Sequence, residues 1–186
     1  MTAPATTPDT AQTTPAVTLR PVDPTTDAAL LHGWVSAERA AFWGMRERSE
    51  AEVAEIYGYI AEQEHLAAYL MEVEGHPVGL LQTYDPFVDE IGDFYDRRPG
   101  DLGVHLLLAD DPARSGRTAE VVAAGLRFLF ADPAVRRLVL EPDADNAGSL
   151  ALLERLGAER GPRVRVRTTI SEKTAQFHFL HRPLTS

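Results

Sequence analysis

One histidine interrupts an apolar run, Gly103-Val104-His105-Leu106-Leu107-Leu108. Strand alternation sets Val104, Leu106 and Leu108 on one face and His105 on the other. An imidazole in that setting is either a satisfied core group or a base able to take a proton near neutral pH. A second run, Arg137-Leu138-Val139-Leu140, ends at Glu141-Pro142-Asp143. Asp143 stands just past the carboxyl end of that run, where open sheets with helical crossovers hold their ligands. Between the two runs lies Arg114-Ser115-Gly116-Arg117-Thr118, a tight turn opening a helix. Unpaired N–H groups and the positive end of the helix dipole face outward there, a seat for an anion such as a pyrophosphate. No Gly-Lys-Ser/Thr follows, so the turn is not a Walker A loop.

Periodicity and turn signals supply the elements that must hold these groups. Val17 to Arg20 alternates as a short strand ended by Pro21. Thr26 or Asp27 is expected to cap a helix carrying Leu30, Leu31 and Trp34. Phe42, Trp43 and Met45 fall in a turn. Ser49 and Glu52 form a capping box opening a helix through Val53, Ile56, Tyr57 and Ile60. Ala67–Val73 and Pro77–Tyr84 make a hairpin about Glu74-Gly75-His76. Residues 85–101 form a long loop with Asp85, Asp89, Glu90, Asp93, Asp96 and Asp101 among its aromatics, and loops of that length tend to be functional. Val104–Leu108 is expected to be a strand buried on both faces. The turn at 114–117 leads into a helix whose Val122, Leu126, Leu129 and Phe130 share a face. Arg137–Leu140 is the next strand, parallel to 104–108 because a helical crossover joins them. Asp145 is expected to cap a short helix closed by Gly157, and strands near 159–168 and 173–181 finish a mixed α/β sheet.

The chain has 186 residues, 44% of them hydrophobic, enough for one domain over 16–186. Residues 1–15, rich in Thr, Ala and Pro, read as a disordered tail without the basic start and apolar run of a secretory signal, and a cytoplasmic protein is expected. A formal charge of −10 disfavours nucleic acid as a partner. No apolar stretch approaches membrane-spanning length. With no cysteine, disulfides, thiolate metal sites and a cysteine nucleophile are excluded, and the six histidines lack metal-ligand spacing.

The order of elements, with the turn at 114–118, resembles the GNAT superfamily of acyl-CoA-dependent N-acyltransferases. Within it the chain is similar to the siderophore-type enzymes in four pieces, in order. These are His32-Gly33-Trp34 with Phe42-Trp43, then Asp101 through Leu107, then Glu141-Pro142-Asp143-Ala144-Asp145-Asn146, and finally Lys173-Thr174-Ala175. The resemblance spans roughly residues 17–182 and implies a GNAT fold with a catalytic pair at His105 and Asp143. It implies acyl-CoA binding by Arg114, Ser115, Gly116, Arg117 and Thr118, with Leu107 on the strand and Asn146 beside the acyl-pantetheine arm. Asn146 reads equally as a helix cap. Trp34, Trp43, Tyr84 and Lys173 are the implied substrate contacts, Lys173 toward a substrate carboxylate, while the tryptophans read equally as core.

The sequence departs from the family pattern twice. The pyrophosphate turn, usually Gln/Arg-x-x-Gly-x-Gly/Ala, keeps only its central glycine in Ala113 through Thr118, and Gln82 stands where many relatives carry Glu. The resemblance implies direct transfer of an acetyl or short acyl group onto the side-chain amine or N-hydroxylamine of a lysine-, ornithine- or diamine-type siderophore precursor. An aminoglycoside N-acetyltransferase is the alternative that an acidic loop suits, although those enzymes usually carry Ile-Asp in place of Val104-His105. A non-catalytic CoA-binding regulatory domain is the alternative that the altered turn suits.

Overall fold

A computed structural model describes residues 17–169 and 171–183, so the expected tail at 1–15 lies outside the described residues. The chain runs β1 (Val17–Pro21), α1 (Ala28–Val35), α2 (Glu50–Glu62), β2 (Leu66–Val73), β3 (His76–Tyr84), β4 (Asp101–Leu108), α3 (Thr118–Leu129), β5 (Arg137–Leu140), α4 (Ala147–Arg155), β6 (Glu159–Arg167) and β7 (Glu172–His181). The strands form one mixed sheet ordered β1-β2-β3-β4-β5-β7-β6. Among the described residues only β4 and β5 pair in parallel, as the helical crossover between them demands. No helix among the described residues is long and apolar enough to cross a membrane.

Local signals explain most element ends. The Ser49 hydroxyl accepts from the Glu52 backbone N–H while the Ser49 N–H donates to the Glu52 carboxylate at 2.8 Å, completing the capping box of α2. Two caps differ from expectation. Asp27 occupies the cap position of α1 without capping it, because its carboxylate takes two hydrogen bonds from Arg20, at 2.7 and 2.9 Å, and one from the Asp23 N–H. Asn146, not Asp145, caps α4, its side-chain oxygen accepting from the Ser149 N–H at 3.1 Å. The segment holding Phe42 and Trp43 is a 3-10 turn, Glu38–Trp43.

Register assigns each side chain to a face. Leu80, Gln82 and Tyr84 of β3 stand opposite Leu107, His105 and Gly103 of β4. This face packs beneath α1 and α2, whose Leu31, Val35, Val53 and Tyr57 meet Leu70 and Leu80. The loop after β3 covers the rest of it, burying Ile91 against Val139, Val166, Ala175, Phe177 and Phe179. On the other face, Met71, Leu81, Val104 and Leu138 pack against Val121 and Leu129 of α3. At the far edge, Arg163, Arg165 and Arg167 alternate outward along β6, the latter two reaching Glu172. Such charges deter pairing with a foreign strand.

One expectation about β4 is corrected. Gly103 and Val104 are buried, but His105–Leu108 are only half-buried. The cause is that β5 pairs with β4 only over Asp101–Gly103 and then departs. Five residues of β4, 104–108, continue without a neighbour on that side, and the sheet splays into a V.

The point of the V is closed by a buried ion pair. Arg137, at the start of β5, reaches both oxygens of Asp101, at the start of β4, at 2.7 Å each. Both side chains are almost wholly buried, at 6% and 0% exposure. The guanidinium lies 4.3 Å from the Phe179 ring centre, and Asp101 also accepts from the Arg98 N–H and the Tyr95 hydroxyl. Burial alone raises the Asp101 pKa, but the Arg137, Arg98 and Tyr95 hydrogen bonds outweigh it and hold it below the usual value of 3.8. Asp101→Asn leaves Arg137 buried without its counter-charge, and about 3 kcal/mol of stability is expected to be lost in urea unfolding at pH 7. Because the folded-state pKa is depressed, the wild type loses this contribution as pH falls below 3.8, and the variant lacks that part of the acid sensitivity.

Candidate active site

Gly103 on β4 is in register with Val139 on β5, so His105 comes opposite Glu141 two residues further along the diverging strands. The His105 Nε2 lies 2.6 Å from Glu141 Oε1. Glu141 is fully buried, and its carboxylate is met from three strands. His105 reaches it from β4, the Tyr84 hydroxyl donates to Oε2 at 3.0 Å from β3, and Lys173 Nζ donates to Oε1 at 3.3 Å from β7. Burial on its own raises the pKa of this carboxyl, but the charge and hydrogen bond of His105, with Lys173 and Tyr84, hold it down to about 2. Glu141 is therefore an anion throughout the physiological range, and burial beside it pushes the Tyr84 phenol far above its usual value, so that group stays neutral.

The imidazole is also held by rings. Tyr84 lies 5.3 Å away between centres and Trp43 meets it edge-on at 6.2 Å. Trp43 packs in the same cluster as the buried Tyr57, whose hydroxyl accepts from Gln82 Nε2 at 3.1 Å. Gln82 thus serves here to fix Tyr57 within the cluster that holds the aromatic wall. His105 keeps 39% of its side-chain surface exposed.

Asp143 has a different environment from the one expected of a partner to His105. The His105 ring nitrogen is taken by Glu141, while Asp143 Oδ1 accepts the Asp145 N–H at 2.8 Å within its own turn. A backbone bridge between Asp143 and Ala175 places Asp143 on the Ala175 side of the sheet, at the lip of the V, two residues past Glu141. Tyr84 and Lys173 both join the Glu141 cluster, whereas Trp34 packs within the α1–α2 core cluster. Leu107 lies on the half of β4 that β5 no longer flanks, with its side chain in the same core.

At the head of α3, Gly116 has φ +72°, a left-handed conformation that a side chain resists. Ser115 and Gly116 are exposed. Arg117 occupies the helix cap without a side-chain cap bond, so the first-turn N–H groups, including that of Thr118, have no capping acceptor. These donors fit a pyrophosphate. The two arginines do not aim outward as the sequence suggested. Arg114 donates to the Ala109 carbonyl at 2.6 Å and to the Thr118 hydroxyl at 2.5 Å, and Arg117 pairs with Glu120 at 2.7 Å. Their role in this structure is to shape the turn. The Asn146 oxygen is engaged as the cap of α4, which leaves its amide N–H groups to a ligand.

The acids of the loop before β4 all find a partner, although Asp93 and Asp96 keep 73% and 87% of their side chains exposed. Asp85 and Asp89 accept the N–H groups of Phe87 and Ile91, Glu90 accepts from Thr169, Asp93 pairs with Arg97, Asp96 with Arg98 and Asp101 with Arg137. The acids fold the loop over β5, β6 and β7, and so help to bury Glu141. Among the described residues, no group of three or more His, Asp or Glu could hold a metal ion.

Sequence reading passed over Glu141 in favour of Asp143. The available signal was a carboxylate closing a buried strand beside a strand that carries histidine, two residues beyond the parallel register.

The Gly103 position explains how Tyr84 reaches Glu141. The Tyr84 ring crosses directly over β4, and a Cβ built on Gly103 would lie 2.0 Å from Tyr84 Cζ. Gly103→Ala is expected to cost about 2 kcal/mol or more by displacing the ring. A double-mutant cycle in chemical denaturation should show most of that penalty vanishing in a Tyr84→Ala background.

The acetyltransferase (GNAT) domain family matches residues 23–166. The N-hydroxyputrescine acetyltransferase of Acinetobacter baumannii is 24% identical over 84% of this chain and 73% of its own length. The N(6)-hydroxylysine O-acetyltransferase of Escherichia coli is 27% identical over 76% of this chain and 45% of its own. Among solved structures, aminoglycoside acetyltransferase AAC(6')-Ib in complex with coenzyme A and kanamycin superposes with a TM-score of 0.73 at 26% identity, covering 90% of this chain and 95% of that one. With a splayed β4–β5 pair beside an uncapped helix N-terminus, and a family match over most of its length, the chain belongs to the GNAT acetyltransferase family.

Proposed function

We propose that the protein transfers an acetyl or short acyl group from acyl-CoA to the side-chain amine or N-hydroxylamine of a lysine-, ornithine- or diamine-type siderophore precursor. The observation that carries this reading is His105, anchored on a buried anion and half-exposed where β4 and β5 part. The thioester supplies an electrophilic carbonyl with a thiolate leaving group. The first-turn N–H groups of α3 hold the pyrophosphate, and the open β5-facing side of 104–108, the stretch that includes Leu107, lies alongside the pantetheine arm. An alkylammonium has a pKa near 10.4 and must shed a proton to become a nucleophile. His105 takes that proton, the new N–C bond forms as the C–S bond breaks, and the leaving sulfur acquires one proton, so amide and thiol are the products. Asp143, at the lip of the V, orients the incoming nitrogen, and Trp43, edge-on to the imidazole, forms the apolar side of the acceptor site. Transfer is direct, because the chain has no cysteine to carry the acyl group. A reaction drawing on acyl-CoA belongs in the cytoplasm.

The choice of acceptor rests on charge. An aminoglycoside brings several ammonium groups, whereas beside His105 the Glu141 carboxylate is buried and already paired and Lys173 adds a basic group. A small acceptor with one reacting nitrogen suits that field better.

Thiol release from several acyl-CoAs tests the reading directly, since any free thiol must come from the cosubstrate in a chain with no cysteine. Hydroxylated or free lysine-type side chains and diamines are expected to exceed kanamycin in kcat/KM by roughly a hundredfold, about 3 kcal/mol in transition-state binding. His105→Ala and Asp143→Asn should each lower turnover by roughly 10²-fold with CoA affinity unchanged. A preference for kanamycin would sink the siderophore assignment, and no thiol release with any acceptor would leave only a CoA-binding domain.

A further inference from the structure

We infer that Glu141 is a positioning residue that locks His105 in the tautomer carrying its proton on Nε2, so that Nδ1 is the nitrogen that accepts the substrate proton. The inference deepens the acyl-transfer reading and rests on it for the identity of the proton donor. It stands on geometry. Only 2.6 Å separates Nε2 from Glu141 Oε1, and no other atom of the imidazole has a hydrogen-bond partner among the described residues.

An ionised carboxylate has no proton to give, so the hydrogen between the two groups belongs to Nε2. The titratable groups facing Glu141 are Tyr84 from β3, His105 from β4 and Lys173 from β7, with Tyr95 of the covering loop at longer range. Lys173 Nζ also donates to Oε1, at 3.3 Å, so Glu141 has a second basic partner besides the imidazole. Tyr84 fixes the second oxygen, and the carboxylate cannot rotate away without abandoning a buried donor. A neutral imidazole pinned through Nε2 presents a lone pair at Nδ1, the nitrogen nearer the β4 main chain. The acceptor nitrogen must then approach close to the backbone of β4, on the same open β5-facing side that borders the thioester arm. That arrangement brings nucleophile and carbonyl together without Glu141 touching either.

The tautomer can be read without substrate. Long-range ¹H–¹⁵N correlation spectra of protein labelled at histidine, recorded where the ring is neutral and assigned with a His105→Asn control, are expected to show His105 protonated at Nε2. In Glu141→Gln the amide can donate to Nε2 instead, so the Nε2–H signature should be lost or give way to Nδ1–H. Turnover should fall by roughly 10²-fold or more, with the dissociation constant for CoA unchanged. A wild-type His105 protonated at Nδ1 overturns the inference, as does a Glu141→Gln protein that keeps both the wild-type tautomer and its kcat. Should Glu141→Gln fail to fold, the wild-type spectrum alone decides. If the wild type releases no thiol with any acyl-CoA and amine, the functional reading falls while the tautomer result still stands or fails by itself.

Discussion

A carboxylate removed from water must be surrounded by donors, and Glu141 imposes that condition on much of this molecule. Its three partners come from β3, β4 and β7, so the sheet has to bring together residues 57, 36 and 32 positions away in sequence. Tyr84 can reach it only because position 103 carries no side chain. The loop after β3 must fold over β5 and β7 to exclude solvent, and its acids are engaged in turns and ion pairs that make that fold. Even the aromatic wall belongs to this scheme, since Trp43 packs with Tyr57, which Gln82 fixes, and meets the imidazole that Glu141 anchors. Losing a buried charge's partners costs far more than the pairing itself contributes. The cluster therefore specifies arrangement more than it adds stability.

The parts legible in the sequence were those with local causes. The capping box at Ser49 and Glu52, the hairpin between β2 and β3, the turn before α3 and the helical crossover each depend on residues within one element of each other. So does the position of His105 on a strand face. The parts that escaped were set by register between distant strands. Asp143 looked like the partner of His105 because it follows a strand end, yet parallel pairing of Gly103 with Val139 puts Glu141 opposite the imidazole. Arg137 read as one more residue of a buried strand, although its counter-ion, Asp101, is 36 positions away. Arg114 and Arg117 looked like anion ligands, but at a helix start a long side chain finds nearby carbonyl, hydroxyl and carboxylate acceptors first. The acidity of the 85–101 loop was visible, and its use was not, because counting charges does not reveal which are already paired.

Burial is also distributed differently from what composition suggests. An apolar run of the Val104–Leu108 kind usually signals a strand covered on both faces. Here the same run is half-exposed from His105 onward, because its parallel neighbour is only four residues long and turns away. The apolar side chains still serve the core, Val104 toward α3 and Leu107 toward α1 and α2. What is left uncovered is the main-chain edge that faces away from β3.

That bare main chain makes the sheet an unfinished object. Three residue pairs, Asp101–Gly103 with Arg137–Val139, are all that join β4 to β5. Beyond them, residues 104–108 stay paired with β3 on one side, and the alternate peptide groups that face the other side meet no strand. An extended chain lying in the gap with its own amide groups acts as a surrogate strand, supplying the hydrogen bonds that β5 withholds and bracing the arms of the V against each other. Whatever fills the gap is in this sense part of the fold, and its binding free energy is added to that of the native state. The same backbone that receives the ligand is what the protein leaves unpaired when empty, so affinity and rigidity rise and fall together.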